Sequence, residues 1–284
     1  MFRNLSPGAI GISANLVESL ELAKTAGFEG LDLPMGEAMK LAEEKGADYI
    51  KGLYANAGLR MGGWGLPVDW RADEAKFQEQ LKELPKYAEL AQKLGCFRVP
   101  TWVLPFSDHL PFKENFEWHV SRFRPIAEIL KDYGCWLGLE FIGPATSRRG
   151  RKYEFIHTLP GMLELADAIG TGNVGLLLDS WHWYTSGGTI EQITSTPAEK
   201  VVYVHINDAP AGVPVDEQID NIRCLPGETG VIDLKGFLQA LKQIGYDGPV
   251  TPEPFSKRMN EMPALEAAKT TGDALLKVWR EAGV

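Results

Sequence analysis

Cysteine and histidine are scarce in this chain, and basic charge is in deficit. The three cysteines, Cys96, Cys135 and Cys224, stand far apart. An odd and widely spaced set does not read as a disulfide framework, so free thiols in a reducing compartment are expected. Lys and Arg number 29 against 38 Asp and Glu, a net charge of -9. Phosphate binding wants a basic face, so this balance argues against a nucleic-acid or anionic-membrane partner. No run approaches the ~18 apolar residues of a membrane span. The opening "MFRNLSPGAIGISANLVESLELAK" has no signal-peptide core, and a cytoplasmic protein is expected. Internal repeats, low-complexity tracts and linkers are also missing. A doubly wound sheet would want a Gly-rich phosphate turn after its first strand, and "GISANL" is a poor match.

What is present is alternation. Strand-like stretches fall at 8–14, 30–34, 58–67, 96–105, 135–143, 174–180, 200–208 and 248–255. Helix-like stretches fall between them, at 16–27, 36–48, 73–95, 115–134, 160–170, 233–246 and 263–283. Pro85 and Pro125 are expected as kinks or breaks, and Asp233 as an N-cap. Eight such units in this length predict an α/β fold, a single (β/α)8 TIM barrel spanning residues 1–284. The Pro- and Gly-rich segment 209–232 then becomes a loop at the C-terminal face, where barrel sites lie.

Four residues at later strand ends carry the chemistry. Glu140 ends "CWLGLE", Asp179 ends "VGLLLD", His205 lies in "VVYVHIND", and Glu253 ends "GPVTPE". Taken singly, each carboxylate reads as a helix cap or a surface charge, and the histidine as a satisfied core residue. In a barrel all four ends face one mouth. Without a basic partner at each position, so many carboxylates would repel unless a cation held them. Oxygens plus one imidazole suit one divalent metal, with Mn²⁺ expected first and Mg²⁺, Co²⁺ or Zn²⁺ as alternatives. Trp64, Trp102, Trp181 and Trp183 are expected near the mouth, where indole faces suit a sugar ring. "TSRRGRK" (146–152) reads as a solvated charge run, with binding of a substrate anion as the alternative.

The stretches "LGLE", "LLLDSWHW", "VHIND" and "TPEPF" resemble the xylose isomerase-like barrel superfamily. Its members include D-tagatose 3-epimerase, 2-keto-myo-inositol isomerase, inosose dehydratase and hydroxypyruvate isomerase. The resemblance implies that Glu140, Asp179, His205 and Glu253 bind the metal. It also places His182, three residues beyond Asp179, against substrate, with Trp181 beside it. Two positions depart from the pattern: Thr146 stands where the ketohexose epimerases carry a further Glu, and Ala211 where an Arg is common. Arg223, in "NIRCLPGETG", is a substrate-binding candidate from the same long loop.

The implied function is a divalent-metal-dependent isomerase or epimerase acting on a keto-sugar or keto-cyclitol through an enediolate. Glu140 and Glu253, expected on opposite sides of the mouth, would exchange the proton. An inosose-type dehydratase is the alternative on the same scaffold. Endonuclease IV shares the barrel but needs three zinc ions and many more than five histidines; "MGGWG" and "IRCLPGE" also lack its ligands. A glycosidase using two barrel carboxylates and a non-catalytic sugar-binding barrel are the remaining rivals. The expected partner is a small-molecule sugar or cyclitol, and a homo-oligomer is left open.

Overall fold

In the computed structural model, which describes residues 1–284, eight parallel strands form the wall of a barrel. They are β1 (Phe2–Leu5), β2 (Gly30–Leu31), β3 (Arg60–Met61), β4 (Arg98–Val103), β6 (Trp136–Phe141), β8 (Val174–Asp179), β9 (Val201–Ile206) and β10 (Pro249–Pro252). Their order is β3-β2-β1-β10-β9-β8-β6-β4. The two ends of that order meet where Trp64 N–H donates to the Arg98 carbonyl at 3.0 Å. A separate antiparallel ribbon joins β5 (Phe106–Ser107) to β7 (Tyr153–Glu154).

The first strand is not where the sequence pattern put it. Residues 8–14 form no strand; Pro7–Ile10 is a 3-10 turn, and Gly11 closes it at φ 75°. Proline favours the first position of such a turn, and glycine takes its left-handed exit without a Cβ penalty. The strand lies earlier, at Phe2–Leu5, pairing with β10 and β2. A helix at Ala47–Ala57 was also unforeseen. Pro85 and Pro125 each sit inside one continuous helix, Glu74–Leu94 and Phe112–Asp132. Asp233 does cap its helix, accepting from Gly236 N–H at 2.9 Å. The cysteines are unpaired.

Strand register decides which side chains enter the barrel. Trp102 pairs with Glu140, Glu140 with Leu177, Asp179 with His205, and His205 with Thr251. Residues two apart share a face, so Asp179, Tyr203, His205, Thr251 and Glu253 all point inward. The alternate positions Leu137, Leu139, Phe141, Leu176 and Leu178 are fully buried against the helices. Burying each such side chain stabilises the fold by about 1.5–3 kcal/mol relative to exposure.

The arginines of 146–152 fasten loops. Arg149 pairs with Glu217 at 2.9 Å and Arg151 with Asp108 at 3.2 Å. Thr146 Oγ1 donates to the Gln218 carbonyl at 2.6 Å. The segment therefore ties the loop after β6 to those after β9 and β4.

A cavity of about 880 Å³ opens at the other end of the barrel, among Phe2, Arg60, Arg98, Trp136 and Tyr246. These residues lie at the N-terminal ends of the strands, the face that in this architecture serves stability.

Candidate metal centre

Glu140, Asp179, His205 and Glu253 come together at the C-terminal mouth, with one ligating atom from each lying within 4.8 Å of the others. His205 Nδ1 stands at the focus. It lies 3.2 Å from Glu140 Oε1, 3.2 Å from Glu253 Oε2 and 3.8 Å from Asp179 Oδ2. Glu140 and Glu253 thus flank the imidazole from β6 and the end of β10, three places apart in the strand order.

Local structure holds each member. Asp179 ends β8 and also caps the short helix Ser180–Thr185, its Oδ1 accepting from Trp181 N–H at 2.6 Å. Cap and cluster member are therefore the same carboxylate. Asn207 braces two members: its Nδ2 donates to both Asp179 oxygens at 3.3 and 3.4 Å, and its Oδ1 accepts from Glu253 N–H at 2.7 Å. Ser180 fixes Asn207 in turn, its Oγ accepting from Asn207 N–H at 2.9 Å.

The electrostatics are those of crowded acids around a cation. Burial alone would strip the proton from His205, but Glu253 and Glu140 outweigh it and hold the ring charged well above its ordinary range. Burial pushes Glu140 up to about 7 against the pull of His205. At Glu253 the same burial is outweighed by His205 and Arg223, and the carboxyl is held below its ordinary value. Three carboxylate oxygens and an imidazole nitrogen around one point match the donor chemistry of a divalent cation such as Mn²⁺ or Zn²⁺.

A basic partner absent from the sequence expectation is present here. Arg223 is buried, and its Nη1 donates to Asp179 Oδ2 at 2.8 Å and Glu253 Oε2 at 3.0 Å. Its Nη2 donates to Asp220 Oδ1 at 2.9 Å. The guanidinium lies between the rings of Trp181 and Phe255, at 5.1 and 4.7 Å. Thus the guanidinium comes from the long loop, twelve residues beyond Ala211. Asp208 anchors that loop, accepting from the backbone N–H groups of Thr229, Gly230 and Ile232.

His182 is fully buried beside Arg223. Its Nδ1 accepts from Gly143 N–H at 3.2 Å, and burial lowers its pKa to about 3. A neutral ring that accepts at Nδ1 carries its hydrogen on Nε2. Arg223 Nη2 also faces Nε2 at 3.1 Å, and a neutral ring can accept at only one of its two nitrogens. Gly143 must be glycine: a Cβ would lie 2.2 Å from the His182 carbonyl oxygen.

The tryptophans divide. Trp102 points into the mouth and is 39% exposed, with the Arg71 guanidinium 4.3 Å over its ring. Trp64 does not face the mouth freely; it is buried in the core with its indole N–H donated to the Cys96 carbonyl at 3.0 Å. Trp183 likewise donates to the Thr189 carbonyl and packs on Phe237. Trp181 is fully buried and meets the site through Arg223.

A polar layer missed in the sequence lies at Asn4, Asp32, Tyr203 and Thr251. Asn4 Nδ2 donates to Asp32 Oδ1 at 2.8 Å and to Thr251 Oγ1 at 3.0 Å. Tyr203 O–H donates to Asp32, and its ring meets His205 edge-on at 5.4 Å. Strict inward alternation from Tyr203 to His205 and from Thr251 to Glu253 was the available signal.

Comparison with known proteins agrees with this architecture. A family model described as xylose isomerase-like TIM barrel matches residues 20–278. Inosose isomerase of Halalkalibacterium halodurans is 27% identical over 268 residues, covering 94% of this chain and 92% of its own. 3-Dehydroshikimate dehydratase of Pseudomonas aeruginosa is 28% identical over 263 residues, 91% of this chain but 39% of that protein. The solved structure of a xylose isomerase domain protein from Alicyclobacillus acidocaldarius superposes with a TM-score of 0.86 at 32% identity, covering 99% of each chain.

Proposed function

We propose, for a chain that belongs to the xylose isomerase-like TIM barrel family, a metal-dependent isomerase or epimerase of a keto-cyclitol or keto-sugar. The observation that carries this reading is the convergence of three carboxylates and one imidazole within 4.8 Å at the barrel mouth. Similarity to an inosose isomerase over nearly the whole of both chains supports the substrate class. Glu140, Asp179, His205 and Glu253 would hold one divalent metal, Mn²⁺ in the first instance. That metal would polarise a ketone carbonyl and acidify the adjoining C–H bond.

The residues of the chain supply the rest. Glu140 and Glu253 flank His205, so one carboxylate can take the proton from carbon and the other can return a proton from a different direction. Return to the same carbon gives epimerisation, and return to the neighbouring carbon gives isomerisation. Asn207 and Ser180 keep the carboxylates aimed. Arg223 and His182 would orient substrate oxygens beside the metal, and Trp102 would cover the apolar face of the ring.

The test is turnover in D₂O with a panel of inososes and ketohexoses in the presence of Mn²⁺. The product is expected to carry solvent deuterium at the reacting carbon. Product free of solvent deuterium under single-turnover conditions would point to a hydride shift and remove the proton-transfer mechanism. A second reading, dehydration, is favoured by the similarity to 3-dehydroshikimate dehydratase. The same proton removal followed by loss of a β-hydroxyl would form an enone, read by its ultraviolet absorbance.

A further inference from the structure

Asp32 carries a hydrogen-bonding asymmetry that the metal quartet does not use. Its Oδ1 is saturated, accepting from Asn4 Nδ2 at 2.8 Å, from Gly63 N–H at 3.0 Å and from Tyr203 O–H at 2.8 Å. Its Oδ2 receives only that same Tyr203 hydroxyl, shared at 2.8 Å. An ionised carboxylate offers about four acceptor sites. Oδ2 therefore keeps an open lone pair in an otherwise satisfied network.

The position of this oxygen matters as much as its vacancy. Arg3 pairs with Val250 and Asn4 with Gly30, so Asp32 and Glu253 lie two residues above a common level, on either side of β1. Asp32 is half-buried, whereas Asn4 and Thr251 beneath it are fully buried. It lies outside the group of four ligating atoms. The neighbouring wall is bare backbone: a Cβ on Gly62 would lie 2.5 Å from both Asn4 Oδ1 and Asp32 Oδ1. Beyond it stands Trp102, exposed toward the mouth. Asp32 thus stands on the wall two strands from Glu253, beside backbone that carries no side chain.

From this we infer that Asp32 is a specificity-determining residue, whose Oδ2 accepts a hydrogen bond from a substrate hydroxyl remote from the metal. The inference rests on the proposed function and narrows its substrate class to a neutral, polyhydroxylated ring ketone. The carboxylate rewards a hydroxyl donor at that point and repels a substrate carboxylate placed there. Tyr203 and Asn4 are positioning residues that keep Oδ1 engaged and Oδ2 free.

The experiment is calorimetric titration of the Mn²⁺-loaded protein with scyllo-inosose, its monodeoxy analogues and 3-dehydroshikimate. Wild-type protein is expected to lose about 10- to 100-fold affinity for one monodeoxy analogue, the range of a hydrogen bond to a charged group. Asp32→Asn keeps the shape and the Oδ1 bonds but presents an amide N–H in place of Oδ2. Because a hydroxyl can also accept from that N–H, it should bind scyllo-inosose more weakly than wild type and keep only part of the preference over the analogue. Asp32→Ala, which offers no polar atom at that point, should lose the preference altogether, guarding against a folding defect peculiar to the amide. A purely structural role would weaken every ligand alike. That result, an unchanged preference in both variants, or no monodeoxy preference in wild type would each overturn the assignment. Deuterium uptake separates this from the reaction itself. Discrimination through Asp32 without uptake contradicts the proposed chemistry and supports the subsite; uptake with undiminished preference in the variants does the reverse.

Discussion

The two halves of the barrel mouth are built on opposite plans. The half formed by β6, β8, β9 and β10 crowds three carboxylates around His205 and adds a buried Arg223. The half formed by β1 to β4 offers glycine backbone at Gly62 and Gly63, one exposed tryptophan and one carboxylate, Asp32. Charge in the first half is balanced in part by the guanidinium of Arg223 and the charged ring of His205, and burial still pushes Glu140 up to about 7. Charge in the second half is balanced by neutral donors from Asn4, Gly63 and Tyr203. The first arrangement suits a metal and proton transfer; the second suits recognition of hydroxyl groups.

The largest expected difference between the halves is in turnover. Glu140→Gln and Glu253→Gln should each lower kcat by on the order of 10³ or more, since an amide is no base and a poor ligand. Steady-state assays of both variants with the best substrate from the panel check this. Wild-type rates in either would return that glutamate to a structural role.

Stability should separate the halves next. Arg223→Ala leaves Asp179 and Glu253 facing each other without their guanidinium. Removing one partner of a buried ion pair costs roughly 3–5 kcal/mol, and that loss is expected in the metal-free protein. Saturating Mn²⁺ should recover much of it. Urea unfolding with and without Mn²⁺ gives the answer, and an equal loss in both conditions would break the link between Arg223 and the metal.

A third contrast uses the two kinds of buried histidine. His205 is charged among carboxylates, whereas His119, on the helix Phe112–Asp132, stacks on Phe155 at 4.7 Å. Burial lowers His119 to about 4. The unfolded chain binds this proton near pH 6.5 and the folded chain only near 4, so stability is complete above 6.5 and falls as the pH drops toward 4. The loss amounts to roughly 3 kcal/mol. His119→Phe should reduce that acid slope in a pH series of unfolding curves, leaving the share that His182, lowered to about 3, contributes in the same way. An unaltered slope would assign the acid sensitivity elsewhere.

The smallest effect concerns the glycine wall. Gly62→Ala places a Cβ against Asn4 and Asp32, and overpacking of this kind costs about 1–3 kcal/mol. Because the quartet stands on other strands, metal content should be unchanged. Loss of metal on this substitution would show that the two halves are not independent.

The quartet was legible in the sequence because each member stands at or next to the C-terminal end of an apolar strand, and strand ends in a barrel share one mouth. β1 was not. Phe2–Leu5 is short and carries Asn4 inward, while "GAIGISA" has the better strand composition but is bent by Pro7 and Gly11. Arg223 was singled out as a substrate-binding candidate in the long loop, but not as the partner of Asp179 and Glu253; its depth depends on Trp181, Phe255 and the backbone donors that grip Asp208. Asp32 was read as part of the strand stretch "GLDLP" and not singled out. Its partner Tyr203 lies 171 residues away, and nothing local marks the pairing. Trp64 was misplaced because an indole close to a strand end reads alike whether it faces the mouth or, as here, the core.

The most direct test of the two-plan mouth is elemental analysis of purified wild-type, His205→Ala and Asp32→Asn proteins after equilibration with Mn²⁺ and removal of free ion. One metal per chain is expected in wild type and in Asp32→Asn, and none in His205→Ala. Equal metal in wild type and His205→Ala, or its loss in Asp32→Asn alone, would contradict the assignment of the metal to the β6–β10 half.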